Sequence, residues 1–166
     1  MAASYHQLGL LTQRQGDYEE ARRQYQRSLA IREALGDQAG MASSYHQLGM
    51  LAQHQGDDQE ARRQYQRALE IFEALGNQTG MASSYGQLGI LLTETGKVEE
   101  AVGYTLASLV FYLQVGAPEA SLCLSWLARQ QKLLGKKQFR TLVRRRLGEE
   151  DTKALLQFLK EQEGKQ

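Results

Sequence analysis

The chain has 166 residues, a formal net charge of +1, one proline and one cysteine, Cys123. That length suits one domain with a sizeable core, and the near-neutral balance supplies no global field to draw the chain to nucleic acid or to a membrane. A lone thiol excludes an intrachain disulfide and fits a reducing compartment, so a cytoplasmic location is expected; no apolar run is long enough to span a bilayer, and no basic-then-apolar signal pattern opens the chain.

Residues 1–40 and 41–80 align without a gap, with roughly three-quarters of their positions identical. A third copy starts at Met81 and drifts after Gly96. Each copy sets its apolar residues at helical spacing. In the second copy Tyr45, Leu48, Leu51 and Ala52 line one face of a first helix, and Ala61, Tyr65, Ala68, Leu69 and Phe72 line a second. Between them Gly56 suits a left-handed helix end and Asp57 suits an N-cap, with Glu60 completing a capping-box pattern. Gly16, Asp17 and Glu20 repeat the arrangement, whereas Lys97 in the third copy predicts a weaker cap. Gly36 and Gly76 are expected to end the second helices, with a short polar loop leading into the next copy.

Met1 stands where the repeat itself has Met41 and Met81, so the chain is expected to be a piece of a longer array or to start at an internal methionine. Its first helix is as apolar as the interior copies. The uncapped N-terminal helix pair, residues 2–35, therefore offers a face for self-association.

After Gly116 the repeat decays. Pro118 suits the first turn of a helix over 118–134, with Leu122, Leu124, Trp126, Leu127, Leu133 and Leu134 as a broad apolar surface. Gly135 takes the place of the earlier turn glycines, and Phe139, Leu142, Val143 and Leu147 mark a short amphipathic helix over 137–147. Glu149, Glu150 and Asp151 open a last helix, whose Leu155, Leu156, Phe158 and Leu159 are expected to seal the array; the polar tail from Glu161 to Gln166 reads as a chain end. The resulting organisation is an array over 1–147, with repeats at 1–40, 41–80 and 81–116 and a degenerate unit at 117–147, then a capping helix and tail over 148–166.

Tyr45, Leu48, Gly49, Ala61, Tyr65 and Ala68 have the spacing of the tetratricopeptide repeat, and the set Tyr5, Leu8, Gly9, Ala21, Tyr25 and Ser28 repeats it. The third copy keeps Tyr85, Leu88, Gly89 and Ala101 but has Thr105 where the family prefers an aromatic. The resemblance covers residues 1–116 strongly and 117–147 weakly, and is closest to the longer repeats of kinesin light chains and of bacterial signalling arrays. It implies an all-α fold, a right-handed superhelix of antiparallel helix pairs. The small residues Gly9, Gly49, Gly89, Ala21, Ala61 and Ala101 read as scaffold that lets helices approach, with tyrosines and leucines filling the space between them.

Within this family the first helices line a concave surface. The positions that map onto it are Ala3, His6, Leu10 and Gln13, then Ser43, His46, Met50 and Gln53, then Ser83, Gly86, Ile90 and Thr93. The resemblance thus implies a non-catalytic protein–protein interaction module that binds a peptide or protein segment in its groove. The lysines and asparagines with which chaperone-binding members clamp a terminal carboxylate are missing, as are the asparagine ladders of kinesin light chains. The alternatives are a structural or self-assembling spacer and a sensor arm of a larger bacterial signalling regulator.

One strong local charge remains. Arg129, Lys132, Lys136, Lys137, Arg140, Arg144, Arg145 and Arg146 cluster near the end of the chain, of which Lys136, Lys137, Arg140, Arg144 and Arg145 form a candidate docking patch for an acidic protein segment or for phosphate. The blander reading is a solvated basic face partly neutralised by Glu149, Glu150 and Asp151. Nucleic acid is disfavoured because no aromatics interleave the arginines. The histidines do not predict a metal site: His46 and His54 are two helical turns apart, and no carboxylate or cysteine joins them at ligand spacing. No nucleophile–base set and no phosphate-cradling glycine loop is present, so neither a cofactor nor an enzyme is expected. Cys123 lies in an apolar helix and reads as an inert thiol.

Overall fold

The structure is a computed structural model that describes residues 1–163. Among these residues there are helices and no strands: α1 (Ala2–Arg14), α2 (Tyr18–Leu35), α3 (Gln38–His54), α4 (Asp58–Ala74), α5 (Gln78–Glu94), α6 (Val98–Gln114), α7 (Ala120–Leu134), α8 (Lys136–Leu147) and α9 (Glu149–Glu163). They fall into two compact units, Met1–Ser84 and a second that begins at Tyr85, so the boundary lies inside α5. The last part of the expected tail, residues 164–166, lies outside the described residues.

The turns inside each hairpin follow from their glycines. Gly16 and Gly56 adopt φ of 82° and 77°, a left-handed conformation that a side chain would strain. The aspartate that follows then caps the next helix: Asp17 Oδ1 accepts from the Glu20 amide at 3.0 Å and Asp57 Oδ1 from the Glu60 amide at 3.1 Å. The capping box is only half made. Glu20 turns forward to accept from Arg23 and Gln24, and Glu60 from Arg63 and Gln64, because these partners sit one turn along the same helix face. Lys97 offers no side-chain cap to α6, as its chemistry requires.

The segments between hairpins are more helical than their glycines suggest. Asp37 Oδ1 accepts from the Gly40 amide and Asn77 Oδ1 from the Gly80 amide, both at 2.9 Å, so α3 and α5 begin at Gln38 and Gln78. Gly40 and Gly80 are third helical residues rather than breakers. A Cβ at Gly40 would strike the Asp37 and Arg32 side chains, and one at Gly80 would strike the Phe72 ring.

In the first unit α1 packs on α2, α2 on α3 and α3 on α4. Ala21, Tyr25, Leu48 and Leu51 form one buried cluster, and Ala42, Ala68 and Phe72 another. In the second unit α6, α7 and α8 pack together, with α9 against α8. Their core joins Val102, Leu106, Leu109, Cys123, Leu127, Phe139, Val143, Leu155 and Leu159. Two expectations need correction here. Leu155 and Leu159 seal the core, but Phe158, off that i, i+4 stripe, is exposed. On α7 the buried face runs through Ala120, Cys123, Leu127, Gln130 and Gln131, which leaves Leu122 and Leu133 in solvent.

Candidate functional site

The rungs mapped onto the first helices are not equally available. In the first hairpin the Tyr25 ring lies directly on the backbone of Gly9, where a Cβ would come within 2.5 Å of it. Its ring centroid is 5.5 Å from that of His6, and its hydroxyl donates to Gln13 Oε1 at 2.7 Å. The second hairpin repeats this slot. Tyr65 sits on Gly49, its ring centroid is 5.5 Å from that of His46, and its hydroxyl donates to Gln53 Oε1 at 2.9 Å. His6, Gln13, His46 and Gln53 therefore hold a tyrosine in place rather than point freely outward.

His46 is a correction in its own right: it is buried and offers only an edge, not a free side chain. Its Nδ1 lies 3.4 Å from Ser84 Oγ and its Nε2 3.3 Å from Ser83 Oγ. Desolvation lowers its pKa from 6.5 to about 4, so the ring is neutral at physiological pH. His6 is less enclosed; burial first, and Arg32 second, also lower its pKa.

In the third copy the glycine stays, as Gly89, but the three side chains of the slot have changed. Gly86 stands for the histidine, Thr93 for the glutamine and Thr105 for the tyrosine. The space is filled from α7. Gln130, fully buried, donates through Nε2 to Thr93 Oγ1 and Thr105 Oγ1, each at 2.8 Å. Both hydroxyls donate in turn to carbonyls of their own helices, at Gly89 and Ala101. Thr93, mapped as a rung, is thus buried beneath Gln130, a residue that no repeat spacing singles out.

What remains accessible in the first unit is a different set. Ser43 and Gln47 on α3, Thr79, Gly80 and Ser83 on α5, and Phe72, Asn77 and the edge of His46 line a cavity of about 280 Å³. Among them is no charged side chain. Leu10 and Met50 stay half-exposed on α1 and α3, as does Ile90 in the second unit, and Ala3 is exposed.

The basic patch lies in the second unit, and all five of its proposed members are exposed. Arg140 donates to Glu149 at 2.8 Å, while Arg144 and Lys153 approach the same carboxylate at 3.8 and 4.0 Å. The Arg140 hydrogen bond holds the Glu149 carboxyl below its ordinary range. Lys136, Lys137 and Arg145 line a shallow cavity with Glu99. The face is therefore of mixed sign rather than a concentrated positive field.

The third histidine, His54, stacks on Tyr18 with centroids 6.0 Å apart, so each histidine has an aromatic neighbour. Among the described residues no group of three His, Cys, Asp or Glu side chains could hold a metal ion, and no helix is long and apolar enough to cross a membrane. Cys123 is buried against Ser108, and burial raises its pKa.

No curated protein matches the chain. Among solved structures it is similar to BtubC (BKLC) of P. vanneervenii, with a TM-score of 0.75 and 21% identity over 96% of this chain and 64% of that one. The chain thus spans less than two thirds of that relative. It is also similar to a kinesin light chain-like protein of Podospora anserina with nearly identical TPR-like repeats, with a TM-score of 0.70 and 18% identity over 99% of this chain and 87% of that one. These likenesses carry the fold alone. The tetratricopeptide repeat model matches residues 1–74 and 40–109. Two of the matched helix pairs are closed by Gly-Asp turns and seat a tyrosine on a glycine of the partner helix, and with that match the chain belongs to the tetratricopeptide repeat family.

Proposed function

We propose that the chain is a non-catalytic protein-interaction module whose first unit holds a peptide or protein segment across α3 and α5. Tetratricopeptide repeats are generally protein-interaction modules of this non-catalytic kind. The observation that carries the reading is the open cavity of about 280 Å³ between those helices. Its lining joins the Phe72 ring to hydroxyls and amides of Ser43, Gln47, Asn77, Thr79 and Ser83. That chemistry suits an uncharged segment that places one apolar side chain against Phe72 and satisfies its backbone on the polar rim. A rigid helical frame lowers the ordering cost of such binding. Met50, half-exposed on α3, adds an adaptable apolar contact nearby.

The test is a random-peptide display screen against the chain, with Ser43→Glu/Gln47→Glu as the control. Both positions are half-exposed, so the control leaves the core intact, whereas a charge at His46 would be buried and would unfold the hairpin. Enriched peptides are expected to share a motif and to bind the control at least about tenfold more weakly, the 1.4 kcal/mol scale of one lost contact set. Circular dichroism should show the helices unchanged. Peptides that bind both proteins equally, or no enrichment at all, would overturn the reading.

A further inference from the structure

Inside the second unit α7 and α9 both pack on α8, and a cavity of about 570 Å³ lies between them. Its α7 wall is one stripe: Ser121, Leu124, Ser125, Ala128, Arg129 and Lys132 recur at helical spacing over about 16 Å of helix. The stripe is graded along its length. At its start the Ser121 and Ser125 hydroxyls donate to the carbonyls of Pro118 and Ser121, at 2.8 and 3.1 Å, so their protons are already used. In the middle Leu124 and Ala128 on one wall, with Phe158 and Leu159 of α9 on the other, supply hydrocarbon alone. At its end stand two cations, Arg129 and Lys132, both exposed.

These cations lack a counter-charge. No aspartate or glutamate lines the cavity, and among the described residues no ion pair joins Arg129 or Lys132 to a carboxylate. Arg129 lies instead over the Trp126 ring, 4.9 Å from its centroid. On α9, Glu149 is engaged by Arg140 and Glu161 accepts from Gln157, while Glu119 precedes the opposite end of the stripe. Like charges three residues apart on a helix repel, and an anion set between them removes that cost.

The walls also select the shape of the occupant. An extended peptide needs partners for its amides, which hydrocarbon walls and spent hydroxyls do not offer. A helix satisfies its own amides, but at 10–12 Å across with its side chains it would need roughly twice the cavity's volume over this length. An unbranched hydrocarbon chain needs neither, and a carboxylate at its end suits a guanidinium fork. We propose that the α7–α9 cavity binds a long-chain carboxylate, its head between Arg129 and Lys132 and its tail between Leu124, Ala128, Phe158 and Leu159. The cavity belongs to the second unit and the α3–α5 cavity to the first, so failure of either reading leaves the other standing.

Dodecanoate, kept below its micelle-forming concentration, is the probe. Trp126, the only tryptophan, lies beneath Arg129, so its emission reports the head group without a label, and titration calorimetry gives the stoichiometry, expected to be one. Decanoate, two methylenes shorter, and dodecanol, with the tail but no charge, should each bind about tenfold more weakly. Arg129→Gln/Lys132→Gln should bring dodecanoate down to the affinity of dodecanol, with circular dichroism unchanged because both positions are exposed. Ala128→Phe keeps the cations but fills the middle of the cavity, and should block dodecanoate and dodecanol alike. The proposal is overturned if dodecanoate does not bind, if dodecyltrimethylammonium binds as well as it does, or if neither variant changes its affinity. A synthetic leucine–glutamate helix that binds where dodecanoate does not would assign the cavity to a protein segment. Binding only to phosphatidylcholine–phosphatidylserine vesicles would assign the cations to a membrane surface, and either result overturns the proposal.

Discussion

His46 shows how a single position can invert its apparent role. Its repeat register places it on the groove-facing helix, yet the imidazole is enclosed by two serine hydroxyls and the Tyr65 ring. Enclosure keeps it neutral, with a pKa lowered by desolvation to about 4 from 6.5. In the unfolded chain the same ring takes up a proton as pH falls below 6.5, so between these values the unfolded state binds more protons. The contribution is therefore complete above the unfolded value and is lost as pH falls toward 4, to a total on the order of 3 kcal/mol. His6 acts in the same direction. The carboxylates whose pKa values are depressed, Glu20 and Glu149, lose their contribution only below the ordinary carboxylate range. Urea unfolding is thus expected to show a drop on the order of 2 kcal/mol between about pH 7 and pH 5, much reduced in His46→Gln. A wild-type stability as flat as the variant's across this window would show that the ring is solvated. Sequence spacing did find the scaffold at this scale: Gly9 and Gly49 lie under tyrosine rings as expected. It did not find the burial of His46 or Thr93, because one helix's periodicity does not say which of its flanks a neighbouring helix covers.

At the scale of the helix, local signals decided where elements begin. The Gly-Asp pairs at 16–17 and 56–57 were legible, because a left-handed glycine and a capping carboxylate are both chemistry of adjacent residues. Gly40 and Gly80 were not, since a glycine can as well serve as a breaker as yield space to the Asp37, Arg32 and Phe72 side chains. Nor was Gln130, whose role depends on three helices meeting at Thr93 and Thr105. The caps themselves can be weighed against one another, because the chain contains both the capped and the uncapped form of one junction. Asp57 accepts from the first turn of α4, while Lys97 leaves α6 without a side-chain acceptor. Replacing Asp57 by alanine should cost about 1 kcal/mol, and Lys97→Asp should gain a similar amount, helped by placing a negative charge at the positive end of the helix. Both are read as opposite shifts of the urea midpoint with an unchanged slope. A Lys97→Asp variant no more stable than wild type would mean that the α6 amides already have acceptors in water as good as a carboxylate.

For the molecule as a whole, near-identity of sequence makes position itself a measurable variable. α1 and α3 share most of their residues, seat equivalent tyrosines and carry the same Gly-Asp exit, so their intrinsic propensities are close. They differ in what lies on Leu8 and Leu11 as against Leu48 and Leu51, and in the cap, since Asp37 caps α3 and α1 has no side-chain cap. A repeat held only by its neighbours draws its stability from those contacts, so a helix covered on one side opens more readily than its covered counterpart. Burying a leucine contributes about 1.5–3 kcal/mol, and two that are half-exposed forgo about that much together. With the missing cap, α1 amides are expected to exchange with solvent deuterium roughly 100-fold faster than those of α3 at low chain concentration, the factor of ten per 1.4 kcal/mol applied to this deficit. Equal rates in α1 and α3 would show that neither the exposure of Leu8 and Leu11 nor the missing cap governs how these helices open.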